Sequence, residues 1–155
     1  MAEYRNGIAQ AALAAIQTAA GGWQLARKTY SFAVQGGAQG TINLFTVTGS
    51  VFVQIFGVCQ TDLAGALATV EVGIVGNTAA LIAQTTGTDV DQYTTWQDAT
   101  PEAHPGAVNL TGRAFVLTNG ADVGMKISTA ALTAGAIDFY CLWAPLSADG
   151  NVSAA

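Results

Sequence analysis

The chain has 155 residues, 51% of them hydrophobic, with five Lys or Arg against ten Asp or Glu and a formal net charge of -5. That length supports one domain with a real core, burying roughly 70% of its unfolded surface. The charges are too few to cover a monomer, so part of the surface is expected to lie against other copies of the chain. The acidic balance excludes nucleic acid as a partner, because phosphate binding needs clustered basic residues and Arg27–Lys28 is the one adjacent basic pair.

Residues 2–20 have helical period. Ile8, Ala9, Ala12, Leu13, Ile16 and Ala20 fall on one stripe, with Asn6, Gln10, Gln17 and Thr18 opposite, and Gly21–Gly22 closes the segment. The apolar run IAQAALAAI at residues 8–16 is broken by Gln10 and falls short of the ~18–20 residues of a membrane span. MAEYRNG carries no net positive charge, so neither a membrane nor a secretory route is expected. Two readings of the stripe stay open: a helix folded on its own domain, or an arm that packs on a partner. The expected division is an Ala-rich helix or arm over residues 1–22 and a β domain over 23–155.

After Trp23 the period becomes that of strands. Eight are predicted, at residues 29–34, 41–47, 51–59, 68–75, 80–85, 113–118, 122–128 and 136–143, with turn signals such as QGGAQG and TGS between them. Short strands without intervening helices predict a mainly β protein, an antiparallel β-sandwich of jelly-roll type with one preceding helix. Val70, Val72 and Ile74 oppose Glu71 and Gly73, and Val123, Met125 and Ile127 oppose Gly124, Lys126 and Ser128, as in half-buried strands. VFVQIF differs: Val51, Val53 and Ile55 share one face and Phe52 and Phe56 the other, so one face must meet something besides the core. In AIDFYCLW the set Ile137, Phe139, Cys141 and Trp143 reads as core. Asp138, Tyr140 and Leu142 have the composition of a subunit contact, and Pro145 ends the pairing.

Reactive constellations are absent from the sequence pattern, and neither an enzyme, a metal nor a cofactor is expected. His104 is the single histidine and sits in a proline-bounded loop without a nucleophile near it in sequence. Asp89, Asp91, Asp98 and Glu102 make the one local concentration of acids. Ca²⁺ is conceivable there, but Tyr93 and Thr94 stand where an EF-hand needs ligands and glycine, and a polar turn-forming loop is preferred. Cys59 and Cys141 lie in apolar runs and read as buried thiols. QGGAQG leads into a strand and GIVGNT has no lysine, so neither cradles phosphate. Of three tryptophans, Trp96 is expected to be an exposed ring able to stack on a sugar.

VEVGIVGNTAALIAQTTGTD at residues 70–89, WQDATP at 96–101 and VLTNGADVGMKISTAALTAGAIDFYCLWAPLSADGNV at 116–152 resemble a group of small proteins encoded among tailed-bacteriophage structural genes. The resemblance spans residues 29–152. It implies a β-sandwich virion protein of capsid decoration, cement or head-fibre type, often trimeric, whose partners are further copies and the major capsid protein or another virion component. It would be made in the host cytoplasm and end in the virion. The expected contacts are the stripe Ile8, Leu13 and Ile16 and the strand face Phe52, Phe56, Tyr140 and Leu142. The alternative is a host-recognition or carbohydrate-binding module of a fibre or tail, with Trp96 in its ligand loop.

Overall fold

In a computed structural model the described residues are 23–102, 107–110 and 113–155. The expected helix over 2–20, with Ile8, Leu13 and Ile16, lies outside them, as does His104. Alternating β-branched and aromatic residues form ten strands among the described residues: β1 (Gln24–Ser31), β2 (Gly40–Thr48), β3 (Val51–Ala64), β4 (Thr69–Ile74), β5 (Asn77–Thr86), β6 (Thr95–Trp96), β7 (Phe115–Leu117), β8 (Val123–Ser128), β9 (Ala134–Pro145) and β10 (Asn151–Ala154). A single helical turn, α1 (Phe32–Gln35), follows β1, and a 3-10 turn (Gly87–Asp89) follows β5.

The protein is mainly antiparallel β in two sheets. The first runs β1-β9-β3-β6, with β7 also on β3; the second runs β10-β2-β8-β4-β5. Eight strands were expected, and the count changes because β6, with two residues, and β10, with four, are too short to show a period. The first strand is also displaced. Expected at 29–34, it begins at Gln24, and residues 32–35 turn away as α1, leaving Val34 80% exposed. Apolar alternation in YSFAV imitates a strand there, but Gly36 at φ 72 carries the chain out of the sheet.

β3 and β9 form the spine of the first sheet, paired from Val51↔Pro145 to Ala64↔Ala134. As the alternation predicts, Val51, Val53, Ile55 and Cys59 on β3 and Ile137, Phe139, Cys141 and Trp143 on β9 point inward and are buried. They meet Phe45, Val47, Val70, Val72, Met125 and Ile127 from the second sheet in one apolar cluster. A bulge between Asn43 and Phe45 turns two consecutive side chains, Leu44 and Phe45, into that core. Gly57 is the small residue in the β3 row: a Cβ there would stand 2.8 Å from Ile137 Cγ2 and 3.2 Å from Phe139 Cε1. The missing side chain leaves room for the Phe139 ring, 6.0 Å from that of Trp96.

Candidate interaction face

Cross-strand pairing fixes which residues share the outer face of the first sheet. Three rows cross it, Thr29–Asp138–Val58, Arg27–Tyr140–Phe56 and Leu25–Leu142–Gln54, and a fourth joins Ala144, Phe52 and Val116. Four of the expected contact residues, Phe52, Phe56, Tyr140 and Leu142, are thereby brought together on one surface. Phe56 stacks on Tyr140 with centroids 5.3 Å apart and planes at 20°. Trp23 tilts over Phe52 at 5.0 Å and 50°. Leu25 is 60% and Val116 58% exposed. Charge on these rows is confined to one pair: buried Asp138 accepts hydrogen bonds from Arg27 Nη2 at 2.7 Å and from Thr29 Oγ1. The hydrogen bond and the charge of Asp138 raise the Arg27 pKa, and the guanidinium lies 5.5 Å from the centre of the Tyr140 ring. The pair closes on itself, so the rows present aromatic and aliphatic surface with no uncompensated charge.

The contribution of β1 to this face, Trp23, Leu25 and Arg27, was missed in the sequence because the first strand was set five residues late. The signal was there: W-x-L-x-R-x-T from Trp23 to Thr29 alternates at period two.

The second sheet is opposite in character. Its outward positions include Thr41, Asn43, Thr46 and Thr48 on β2, Thr69 and Glu71 on β4, and Lys126 and Ser128 on β8. Glu71 stands opposite Lys126 and accepts hydrogen bonds from Thr78 Oγ1 and, at 3.2 Å, from Gln84 Nε2. A cleft of about 300 Å³ opens beside it, lined by Thr41, Asn43, Val75, Thr78 and Asp122. Among the described residues one outer face is therefore mainly polar and the other mainly apolar and aromatic.

The expectation for Trp96 is corrected. Its ring is fully buried, and its Nε1 donates to Thr85 Oγ1 at 2.9 Å. The polar residues around it are buried with it: Thr94 donates to the Asp91 carbonyl at 2.7 Å and Gln97 to the Asn109 carbonyl at 3.0 Å. One acid of this loop serves a turn, Asp98 Oδ1 accepting from Thr100 N at 2.8 Å. Among the described residues no group of three or more His, Cys, Asp or Glu is placed to hold a metal ion.

Cys59 and Cys141 are both buried and free. Register places Cys59 opposite Ile137 and Cys141 opposite Ile55, so they share the inner face without meeting. Burial raises their pKa from the ordinary 9.0 to about 11 and about 12. Below pH 9.0 this costs nothing. As pH rises beyond that value an unfolded chain releases protons that the native one retains, so stability falls from about pH 9 toward 11 and 12. Chemical denaturation followed from pH 8 upward should show the midpoint dropping over that window, and a Cys59→Ala, Cys141→Ala chain should show a flatter decline. A thiol reagent at pH 8 should find no reactive cysteine until denaturant is added.

The fold and its outer face define a class: a two-sheet antiparallel β-sandwich with one polar and one apolar-aromatic outer surface. No protein-family model matches the chain and no curated protein is similar to it in sequence. Among solved structures, the fold is similar to a chain described as "Acidic stable capsid structure of Helicobacter pylori bacteriophage KHP30", with a TM-score of 0.54 and 14% identity, covering 84% of this chain and 91% of that one. At that identity the likeness is one of fold. Among the described residues no helix is long and apolar enough to cross a membrane.

Proposed function

We propose that this chain is a structural protein of a tailed-bacteriophage virion, a decoration or cement subunit that self-associates, as a trimer, and binds the capsid. The observation that carries this reading is the fold likeness, over most of both chains, to a chain of a bacteriophage capsid structure. The apolar outer face of the first sheet supports it, because a surface of that kind on a chain with 15 charged residues is stable in water only when covered. The strand order supports a jelly-roll description: β1, β9, β3 and β6 with β7 form one sheet, β2, β8, β4 and β5 the other, so the chain crosses between sheets repeatedly, and β10 adds an edge strand beyond β2. The reading as a carbohydrate-binding module of a fibre or tail loses the exposed ring it required, since Trp96 is in the core.

The test is incorporation. Particles assembled in cells that make this chain together with the phage capsid protein should carry it in fixed proportion to that protein, measured by quantitative mass spectrometry. Phe56→Asp should lower its content about tenfold or more, which corresponds to a loss of ~1.4 kcal/mol or more of binding, while the soluble protein keeps its circular dichroism spectrum. Particles without the wild-type chain would refute the virion reading. Equal incorporation of a folded Phe56→Asp chain would refute this face as the contact.

A further inference from the structure

The apolar face needs an occupant, and the start of the described structure indicates one. The chain enters β1 at Gln24, opposite Trp143 near the end of β9, and the preceding residue, Trp23, already lies on this face with its ring against Phe52. Twenty-two residues precede Trp23, and their sequence carries one apolar stripe, Ile8, Leu13 and Ile16 among alanines. β1 is an edge strand running antiparallel to β9, so a chain extended backwards from Gln24 passes beyond the row of Ala144 and Phe52 and off its own sheet. Twenty-two residues reach roughly 30 Å as a helix and about 70 Å extended, enough to meet a neighbouring molecule.

From these placements we infer that the occupant is the N-terminal segment of a second copy. The stripe Ile8, Leu13 and Ile16 of one molecule seats on Phe56, Tyr140 and Leu142 of the next. Small residues suit this role: alanines between the larger side chains allow close approach to a sheet whose relief is set by stacked rings. The charge balance agrees, because the rows of the face carry only the closed Arg27–Asp138 pair and the stripe carries no charge at all. The two sets of expected contacts are then the two halves of one interface. The inference rests on the self-association proposed above and names the part of the partner that makes it.

Self-association is tested by light scattering coupled to size exclusion, on the full chain, on Leu13→Glu with Ile16→Glu, and on Phe56→Asp. The full chain should have a mass that is a multiple of 15.7 kDa. Either charged variant should fall to a single 15.7 kDa species with an unchanged circular dichroism spectrum. Source is tested by mixing two chains in which Cys59 and Cys141 are replaced by alanine, one with Leu13→Cys and the other with Phe56→Cys. A disulfide-linked dimer of one chain of each kind on a non-reducing gel is the expected result. A monomeric full chain whose double variant, Leu13→Cys with Phe56→Cys, closes an internal disulfide would overturn the proposal in favour of the chain's own segment. An oligomer that survives the stripe substitutions but not Phe56→Asp would overturn it while leaving self-association standing. A monomer in every case would overturn both, and incorporation into particles would still report separately on the virion reading.

Discussion

Replacing Trp96 by alanine is expected to destabilise the domain by about 3–5 kcal/mol, the range for removing a fully buried large aromatic. The indole lies wholly inside, 6.0 Å from the Phe139 ring, so its loss leaves a cavity bounded by β3 and β9, the spine of the first sheet. It also leaves Thr85 Oγ1 without the donor at 2.9 Å. For a domain of this size each 1 kcal/mol moves the melting temperature by roughly 2–4 °C, so a drop of about 6–20 °C should be seen by calorimetry. Trp96→Phe keeps one aromatic ring while losing the N–H and the volume of the second, and should cost less, about 1–3 kcal/mol. A Trp96→Ala protein that melts within 2 °C of wild type, on the order of 1 kcal/mol or less, would mean that the ring is exposed after all, and would restore it as a ligand residue.

Gly73→Ala is the second large effect. Gly73 lies on the outer side of β4, opposite Gly124 on β8, and the β4–β5 hairpin folds back so closely that an added Cβ would stand 2.2 Å from the Asn77 carbonyl oxygen and 2.5 Å from the Thr78 carbonyl carbon. Backbone atoms cannot swing aside as a side-chain tip can, so the hairpin must shift or open. That shift disturbs the ladder carrying Val72↔Ile82 and Ile74↔Asn77, and with it the hydrogen bond from Thr78 to Glu71. Overpacking of this kind costs about 3 kcal/mol. Hydrogen exchange is the informative readout: amides of β5, an edge strand, should lose protection while those of β3 and β9 keep theirs. Unchanged protection in β5 would show that the hairpin absorbs a methyl group without moving.

Much of the sandwich was legible because long stretches of its strands, away from the bulges, obey period two. Val123, Met125 and Ile127 point inward as alternation requires, and the two-sided apolar character of β3 places Val51, Val53 and Ile55 in the core and half-buried Phe52 and Phe56 on the outer side. Trp96 was misread because its neighbours, Thr94, Thr95, Gln97 and Asp98, look like a solvated loop. Polar residues can enter a core when each hydrogen bond is closed; Thr94 closes locally on Asp91, but Asn109 for Gln97 and Thr85 for Trp96 are set by tertiary structure and not by local pattern. β1 failed for a different reason. An edge strand with Arg27 and Lys28 at its centre looks like a linker until Asp138, 111 residues away from Arg27, supplies the counter-charge. The face itself was half legible: Phe52, Phe56, Tyr140 and Leu142 were found by alternation, whereas Leu25 and Val116 are assigned to it by pairing register and Trp23 by its ring contact with Phe52.

The pairing of β3 with β9 also has a consequence in time. Residue 51 meets residue 145, and β1 waits for the same strand, since Gln24 pairs with Trp143. During synthesis the first sheet therefore has no spine until residues 134–145 have left the ribosome. Until then β3, apolar on both faces, has no neighbour on the side that β9 will take. Topologies dominated by such distant pairings fold in milliseconds to seconds, slowly for a small domain. The nascent chain thus passes through an interval in which its most adhesive strand is unguarded, and chaperones are the natural attendants of that interval.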